Sequence, residues 1–407
     1  MVVSRTEQHV IKKINPCWKL IDEFSFKSKN LYNLANYMIR QEFINNKRWI
    51  QYKELFQLCK NGSDYKSLTS NVGQQTLRLL DKNWKSFFTA IKDWSKNPSK
   101  YLGRPKLPKY KDKVKGRMLL GFDNNKIHIT DGFIRFSVKA FRGLNNQFAT
   151  KIPQEAKLMQ CRFIPKATHY VMEIVYQIEV PDIAHEPKNI ASIDLGIDNF
   201  ATITNNIGLK PIAIKGNVIK SMNQYFNKKK AIIQSELMLV NKKHNSRRLI
   251  KLTTKRNNKV KTWMHKVSKY VIDYCVENNI DTLICGYNAG WKQESEMSKK
   301  VNQKFVSIPF EMFVQQLAYK CENVGIRFIQ TEESYTSGTS FIDGEKPVKS
   351  NYDKSRRIYR GMFKSNHGVL INSDVNGSYQ IMKKVFPNVF TNGIEGVGWH
   401  PVSIKVA

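Results

Sequence analysis

The sequence has little paired cysteine, little acid and no long apolar run. Its six cysteines stand at positions 17, 59, 161, 275, 285 and 321, with no CxxC pair among them. That spacing argues against a disulfide framework and against a thiolate zinc site, and it fits a reducing, cytoplasmic setting. No apolar stretch approaches the length of a bilayer span, and the opening MVVSRTEQHV has no apolar signal-peptide core. Acid is scarce: 33 Asp and Glu stand against 67 Lys and Arg, a net charge of +34. Self-repulsion on that scale destabilises a compact chain unless a polyanion is its normal partner. Nucleic acid is the expected partner. A membrane is not, because no basic amphipathic helix sits beside an apolar anchor.

What is present divides into segments, since 407 residues exceed one ordinary core. Met1–Leu20 alternates and reads as one strand. LYNLANYMIRQEFI carries Leu31, Leu34, Tyr37, Met38 and Phe43 at helical spacing, and a second helix runs from Asn71 to Ser95 with Trp84, Phe87 and Phe88 on its apolar side. Pro105 and Pro108 then exclude a helix interior. Here Arg104, Lys106, Lys109, Lys111 and Lys113 form an extended basic strap, read either as a solvated linker or as a phosphate contact. From Arg117 to Val180 the period becomes two. KIHITDGFIRFSV reads as a hairpin about Asp131-Gly132, and LMQCRFIPKATHYVMEIVYQIEV as a second. Together with the first strand these suggest a small β-barrel, with the helical module inserted in it.

The stretch NIASIDLGIDNFATITN reads as a hairpin with Asp194 on its first strand. A carboxylate there is costly unless it is neutralised. Backbone donors at a strand end would do this, and so would a divalent metal. A third strand, Leu209–Ile214, precedes a long polar helical region, Val218–Asn279, which includes Arg247, Arg248, Lys255 and Arg256. Such a charge run suits a solvated face and equally a bound duplex. Strand Thr282–Cys285, helix Phe310–Val324, strand Ile326–Thr331 and helix Asp374–Lys384 complete the order. That order is α/β with a mixed sheet, as in an RNase H-like fold. In such a sheet Asp194, the Glu332-Glu333 pair and Asp374 end on one edge. Three carboxylates there can hold two Mg²⁺ ions, one to activate water and one to stabilise the leaving oxygen of a phosphodiester. Asp374 can instead be a helix N-cap, with Asn372 as an alternative for that role.

The segments LYNLANYMIRQEF, QQTLRLLDKNWKSFF, GRPKLPKYKDK, SIDLGIDNFATIT, NQKFVSIPF, ESYTSGTSF and RRIYRGMFKSNHGVLINSDVNG resemble the TnpB family, transposon-encoded relatives of type V CRISPR effectors. The resemblance covers nearly the whole chain. It implies an RNA-guided DNA endonuclease, monomeric or dimeric on its RNA, whose partners are a guide RNA and a target DNA. It implies a wedge barrel, OB-like, from residues 1–20 and 101–187, and a helical recognition module from 21–100. A RuvC nuclease domain would take 188–337 and 371–407, with a helical insertion at about 217–280 and a target-nucleic-acid-binding insert at 338–370.

Two departures from the family pattern stand out. The usual second acid, at the end of the fourth strand, is replaced by Gly286. A subset of relatives uses a glutamate from the next strand, and Glu333 matches that position. Strands lie about 4.8 Å apart, so its side chain can reach across. Glu332 is the alternative, since adjacent strand residues face opposite ways. The insert also lacks the family's four cysteines, so no zinc is expected. Its Arg356, Arg357 and Arg360 are candidates for DNA contact or for a plain surface role. A nuclease-inactive guided repressor, a CRISPR-associated effector and a structural RNA-binding protein are the competing functions. Only the last fails to account for three placed carboxylates.

Overall fold

The computed structural model describes residues 1–183, 186–242, 244–288, 290, 299–359, 361–390 and 398–406. The chain forms two compact units, Val2–Glu179 and Val180–Ala407, the latter also taking Met1.

In the first unit, strand β1 (Val2–Lys12) leads into helix α1 (Trp18–Asn46). The alternating stretch read as one strand to Leu20 therefore stops at Lys12, and its last residues, Trp18 to Leu20, belong to the helix. Two short helices, α2 (Tyr52–Cys59) and α3 (Ser63–Lys66), precede the long α4 (Ser70–Lys96). Trp84 of α4 is fully buried, and its indole nitrogen donates to Asn36 Oδ1 of α1 at 3.0 Å. Five strands follow: β2 (Leu120–Asp123), β3 (Ile127–Thr130), β4 (Phe133–Phe136), β5 (Lys157–Pro165) and β6 (His169–Glu179). The strands of the expected barrel form a four-stranded antiparallel sheet, ordered β1-β6-β5-β2, and a separate β3–β4 hairpin. Asp131 and Gly132 turn that hairpin with φ of 53° and 72°, the paired positive angles that a tight two-residue turn needs. The buried rings of Phe122, Phe136, Phe141 and Phe163 pack the hairpin to the sheet, with Phe122 and Phe141 centred 4.8 Å apart.

The second unit is built on β7 (Ile190–Leu195), β8 (Asn199–Asn205), β9 (Ile212–Lys215), β10 (Thr282–Gly286) and β11 (Arg327–Thr331). The sheet order is β11-β10-β7-β8-β9, with β14 (Val402–Ile404) added at the edge. The first three strands are antiparallel, and β10 and β11 are parallel to β7. A helical hairpin, α5 (Asn217–Asn241) and α6 (Arg247–Glu277), is followed by α7 (Lys299–Val306) and α8 (Phe310–Asn323). Phe200 fills one face of the sheet, edge-on to Trp263 of α6 at 4.8 Å and stacked on Phe310 of α8 at 5.8 Å. The insert contributes the short strands β12 (Met362–Lys364) and β13 (Leu370–Asn372) before α9 (Ser373–Val385), which covers the opposite face. The strand–helix order read from the sequence is the order observed, with α7, the β12–β13 pair and β14 in addition. No helix among the described residues is long and apolar enough to cross a membrane.

Candidate active site

Three distant segments meet at one end of the second sheet. Asp194 lies near the end of β7, paired with Thr202 of β8. On the other side of β7, Cys285 of β10 is level with Ile193, so Gly286 comes beside Asp194. Gly286 pairs in turn with Thr331, two residues before Glu333. Helix α9 brings Asp374 to the same end. It sits close to the strands because the residue at the contact, Ser378, is small: Ser192 Oγ donates to Ser378 O at 2.6 Å, and Ser378 Oγ donates back to Ser192 O at 2.9 Å. Gly377 completes the approach. A Cβ added there would stand 2.9 Å from Asp194 Oδ2.

The second glycine settles where the Glu333 carboxylate goes. A Cβ at residue 286 would stand 2.9 Å from Glu333 Oε2 and closer still to Ile381 Cδ1. The carboxylate of Glu333 thus occupies the space in front of Gly286, where a side chain on β10 would otherwise project. Its Oε2 is buried and accepts no hydrogen bond from the described residues, while its backbone nitrogen donates to Asn288 Oδ1 at 2.9 Å. Glu332 faces the other way. It is exposed, is ion-paired with Lys384 and accepts from Ser334 N at 2.8 Å.

Charge in this cluster is penalised. Burial pushes the Asp194 carboxyl well above the usual range, and the nearby charges of Glu333 and Asp374 push the same way. The exposed Arg357 acts oppositely, which places its guanidinium within electrostatic reach of Asp194. Glu333 is pushed up to about 7, by burial and then by Glu332. Burial acts on Glu332 too, but Lys384 and Ser334 outweigh it and hold that carboxyl down at about 2. Asp374 is fixed differently: Asn199 Nδ2 donates to its Oδ2 at 2.7 Å, and Lys215 Nζ donates to Asn199 Oδ1 at 2.8 Å. The helix N-cap is Asn372, whose Oδ1 accepts from the backbone nitrogens of Asp374 and Val375. The Asp374 side chain is therefore not needed as the cap. Asn199 and Asn288 were not singled out from the sequence, since only pairing and chain reversal bring them to the carboxylates.

The donor set suits a hard divalent cation, being three carboxylates with one buried oxygen lacking any partner. Among the described residues no three such donors stand together as a finished metal cage. The three groups are electrostatic neighbours.

The candidate nucleic-acid residues separate into free and engaged. The basic strap is docked through its backbone. Asn36 Nδ2 donates to Pro108 O at 3.0 Å, Asn33 bonds both the carbonyl and the amide of Lys111, and the buried Lys29 donates to Lys113 O at 2.6 Å. This leaves the side chains of Arg104, Lys106, Lys109, Lys111 and Lys113 exposed. Arg247, Arg248 and Lys255 are exposed on α6, with Arg248 paired to Glu236 at 3.0 Å. Arg256 is not available in the same way. Its guanidinium donates to Asn223 Oδ1 and Ser307 O, tying α6 to α5 and to the end of α7. Arg356 is likewise engaged within the insert, against Glu345. Both side chains are half-buried and act as internal braces. Arg360 lies outside the described residues.

Comparison with known proteins extends this picture. A family model described as a probable transposase, OrfB_IS605, matches residues 173–292. A second, described as a Cas12f1-like TNB domain, matches residues 310–381, which take in α8, β11, the insert and most of α9. No curated protein matches the chain. Among solved structures, a Cas12f1–sgRNA–target DNA complex aligns with a TM-score of 0.54 at 14% identity, over 91% of this chain and 82% of that one. The mini-RNA-guided endonuclease CRISPR-Cas phi3 aligns at 0.48 and 10% identity, over 98% and 94%. The first of these likenesses gives the fold as that of the Cas12 effectors. The two family models, the first spanning β7 to β10 and the second spanning β11 and most of α9, agree with the resemblance to the TnpB family, the transposon-encoded relatives of the type V CRISPR effectors.

Proposed function

We propose that this protein is an RNA-guided endodeoxyribonuclease that cuts target DNA beside a short flanking motif, with Asp194, Glu333 and Asp374 as its catalytic carboxylates and metal ligands. The observation that carries the reading is the convergence of the three at one sheet edge, with Gly286 and Gly377 vacating the volume around them. A structural RNA-binding protein has no use for such a costly burial of like charge. A nuclease-inactive repressor would be favoured by loss of an acid, and none of the three is missing. The OrfB match supports association with a transposon, and the Cas12f1-like match supports the alternative of a CRISPR-associated effector.

Bound there, two Mg²⁺ ions would supply an activated water and offset charge on the phosphodiester. The chain's own residues do the rest. Asn199, steadied by Lys215, fixes one oxygen of Asp374. Asn288 holds the backbone of Glu333, and Lys384 keeps Glu332 turned away. A guide RNA delegates sequence reading to base pairing, so the protein needs cations placed along a backbone path. The exposed strap and the outer face of α6 provide them.

Three outcomes test this. Asp194→Ala, Asp374→Ala and Glu333→Gln should each lower cleavage by on the order of a hundredfold or more, with guide RNA still bound, whereas Glu332→Gln should cleave nearly as the parent does. Cleavage lost with Glu332→Gln and kept with Glu333→Gln would reverse the assignment.

The raised Glu333 carboxyl has a consequence for stability. The folded chain keeps a proton between 4.5 and about 7 that the unfolded chain has lost. The stability this contributes is full below 4.5 and is lost as pH rises through about 7. Urea unfolding in EDTA should therefore show a decline in stability over that interval, and Glu333→Gln should lessen it, leaving the part that the raised Asp194 carboxyl contributes. An identical decline in the variant would contradict the burial of this carboxyl.

Finally, neutralising Lys106, Lys109 and Lys111 together should weaken guide RNA binding. It should also reduce the slope of log affinity against log salt by about 2, as expected for three lost phosphate contacts. An unchanged slope would remove the strap from the interface.

A further inference from the structure

Two of the three carboxylates stand at the two ends of one insert. Glu333 enters it, and Asp374 follows its last strand, β13. The spacing of these two groups therefore depends on how the insert is closed. Its entry is strained. Tyr335, two residues past Glu333, has φ of 68°, a left-handed conformation that a bulky residue keeps only when its surroundings enforce it. Thr336 Oγ1 donates to Glu333 O at 2.8 Å, Thr339 Oγ1 donates to Tyr335 O at 2.9 Å, and the ring of Tyr335 meets that of Tyr352 edge-on at 5.7 Å.

Arg356 ties these pieces together. Its guanidinium grips Glu345 with both terminal nitrogens, at 2.9 and 2.7 Å. It also donates to Gly338 O at 3.1 Å, Asn351 O at 3.2 Å and Asn366 Oδ1 at 3.1 Å, and lies over the ring of the buried Phe363 of β12. A second carboxylate, Asp343, is 3.8 Å away and almost wholly buried. One side chain thus joins the entry turn, the middle and the exit strands of the insert. Glu345 carries the link onward: its Oε2 accepts from Ser340 N at 2.7 Å, and its backbone carbonyl accepts from Gln380 of α9 at 3.1 Å. Asn376, two residues after Asp374, bonds Phe341 N and Thr339 O at 2.9 and 2.8 Å.

We infer that Arg356 is a positioning residue for the active site: by crosslinking the insert it limits how far Glu333 and Asp374 can part, and so how readily they close on a divalent cation. The cation's role rests on the nuclease reading, while the crosslink stands on these contacts alone. Without Arg356, Glu345 and Asp343 would be partly buried charges lacking their cation, and the insert would open to hydrate them. The entry turn would then be free to relax and carry Glu333 with it.

The test is Mn²⁺ binding to the guide-bound protein, followed by electron paramagnetic resonance, together with hydrogen exchange of the insert amides. Arg356→Ala should weaken Mn²⁺ binding about tenfold or more. It should also strip protection from the amides of Ser340, Phe341 and Glu345, with guide RNA affinity unchanged. Arg356→Lys, a point charge without the fork, should recover binding only in part. A substitution that merely destabilises the fold lowers the number of sites without moving their dissociation constant. If Arg356→Ala does not fold, Glu345→Gln removes the anionic half of the same link and should shift both readouts in the same direction. Unchanged Mn²⁺ affinity in the folded variant, alongside loss of binding in Asp194→Ala, would overturn the positioning role and leave the nuclease reading intact. Mn²⁺ binding indifferent to Asp194→Ala would overturn the nuclease reading and this role with it.

Discussion

Three carboxylates crowded at the end of a sheet, in a chain otherwise dominated by positive charge, form the constraint on which the second unit depends. Burial opposes the ionisation of Asp194 and Glu333, and the neighbouring carboxylates oppose that of Asp194 further. The surrounding residues are chosen for absence of bulk: Gly377 behind Asp194 and Gly286 behind Glu333. The helix that supplies Asp374 is held to the strands by hydroxyls of Ser192, Thr204 and Ser378, neutral groups that satisfy one another at short range. A larger apolar contact would hold α9 as firmly but farther off. Close approach, more than adhesion, is what this seam provides.

The positive charge is arranged on the opposite principle. In the strap, side-chain amides of α1 bind the backbone, and the lysine side chains stay in water. Their charge is then available to a polyanion at little cost in desolvation. Where cations are instead drawn inward, as at Arg356 and Arg256, each meets several acceptors at once. The fork geometry of arginine suits that task better than lysine.

Much of this was legible in the sequence. The period-two runs and the Asp131-Gly132 turn gave both hairpins of the first unit, and the apolar run into Asp194 gave β7. The missing side chain at Gly286 pointed to a relocated acid. The choice between Glu332 and Glu333 was not legible, because it turns on which neighbour meets Lys384, a residue far along the chain. Nor did counting cations separate Arg356 from Arg357: one faces Glu345, the other is exposed near Asp194. The helix start at Trp18 was missed since WKLIDEF alternates weakly enough to pass for strand. Asn199 carries no local signal, and its part emerges only when β8 and α9 are brought together.

The position of Mn²⁺ in crystals of the guide-bound protein, located by its anomalous scattering, tests the central claim most directly. Peaks are expected within coordinating distance of Asp194, Glu333 and Asp374, with Glu332 still paired to Lys384. A peak coordinated by Glu332, or none in reach of Glu333, would contradict the relocation of the second acid to that residue.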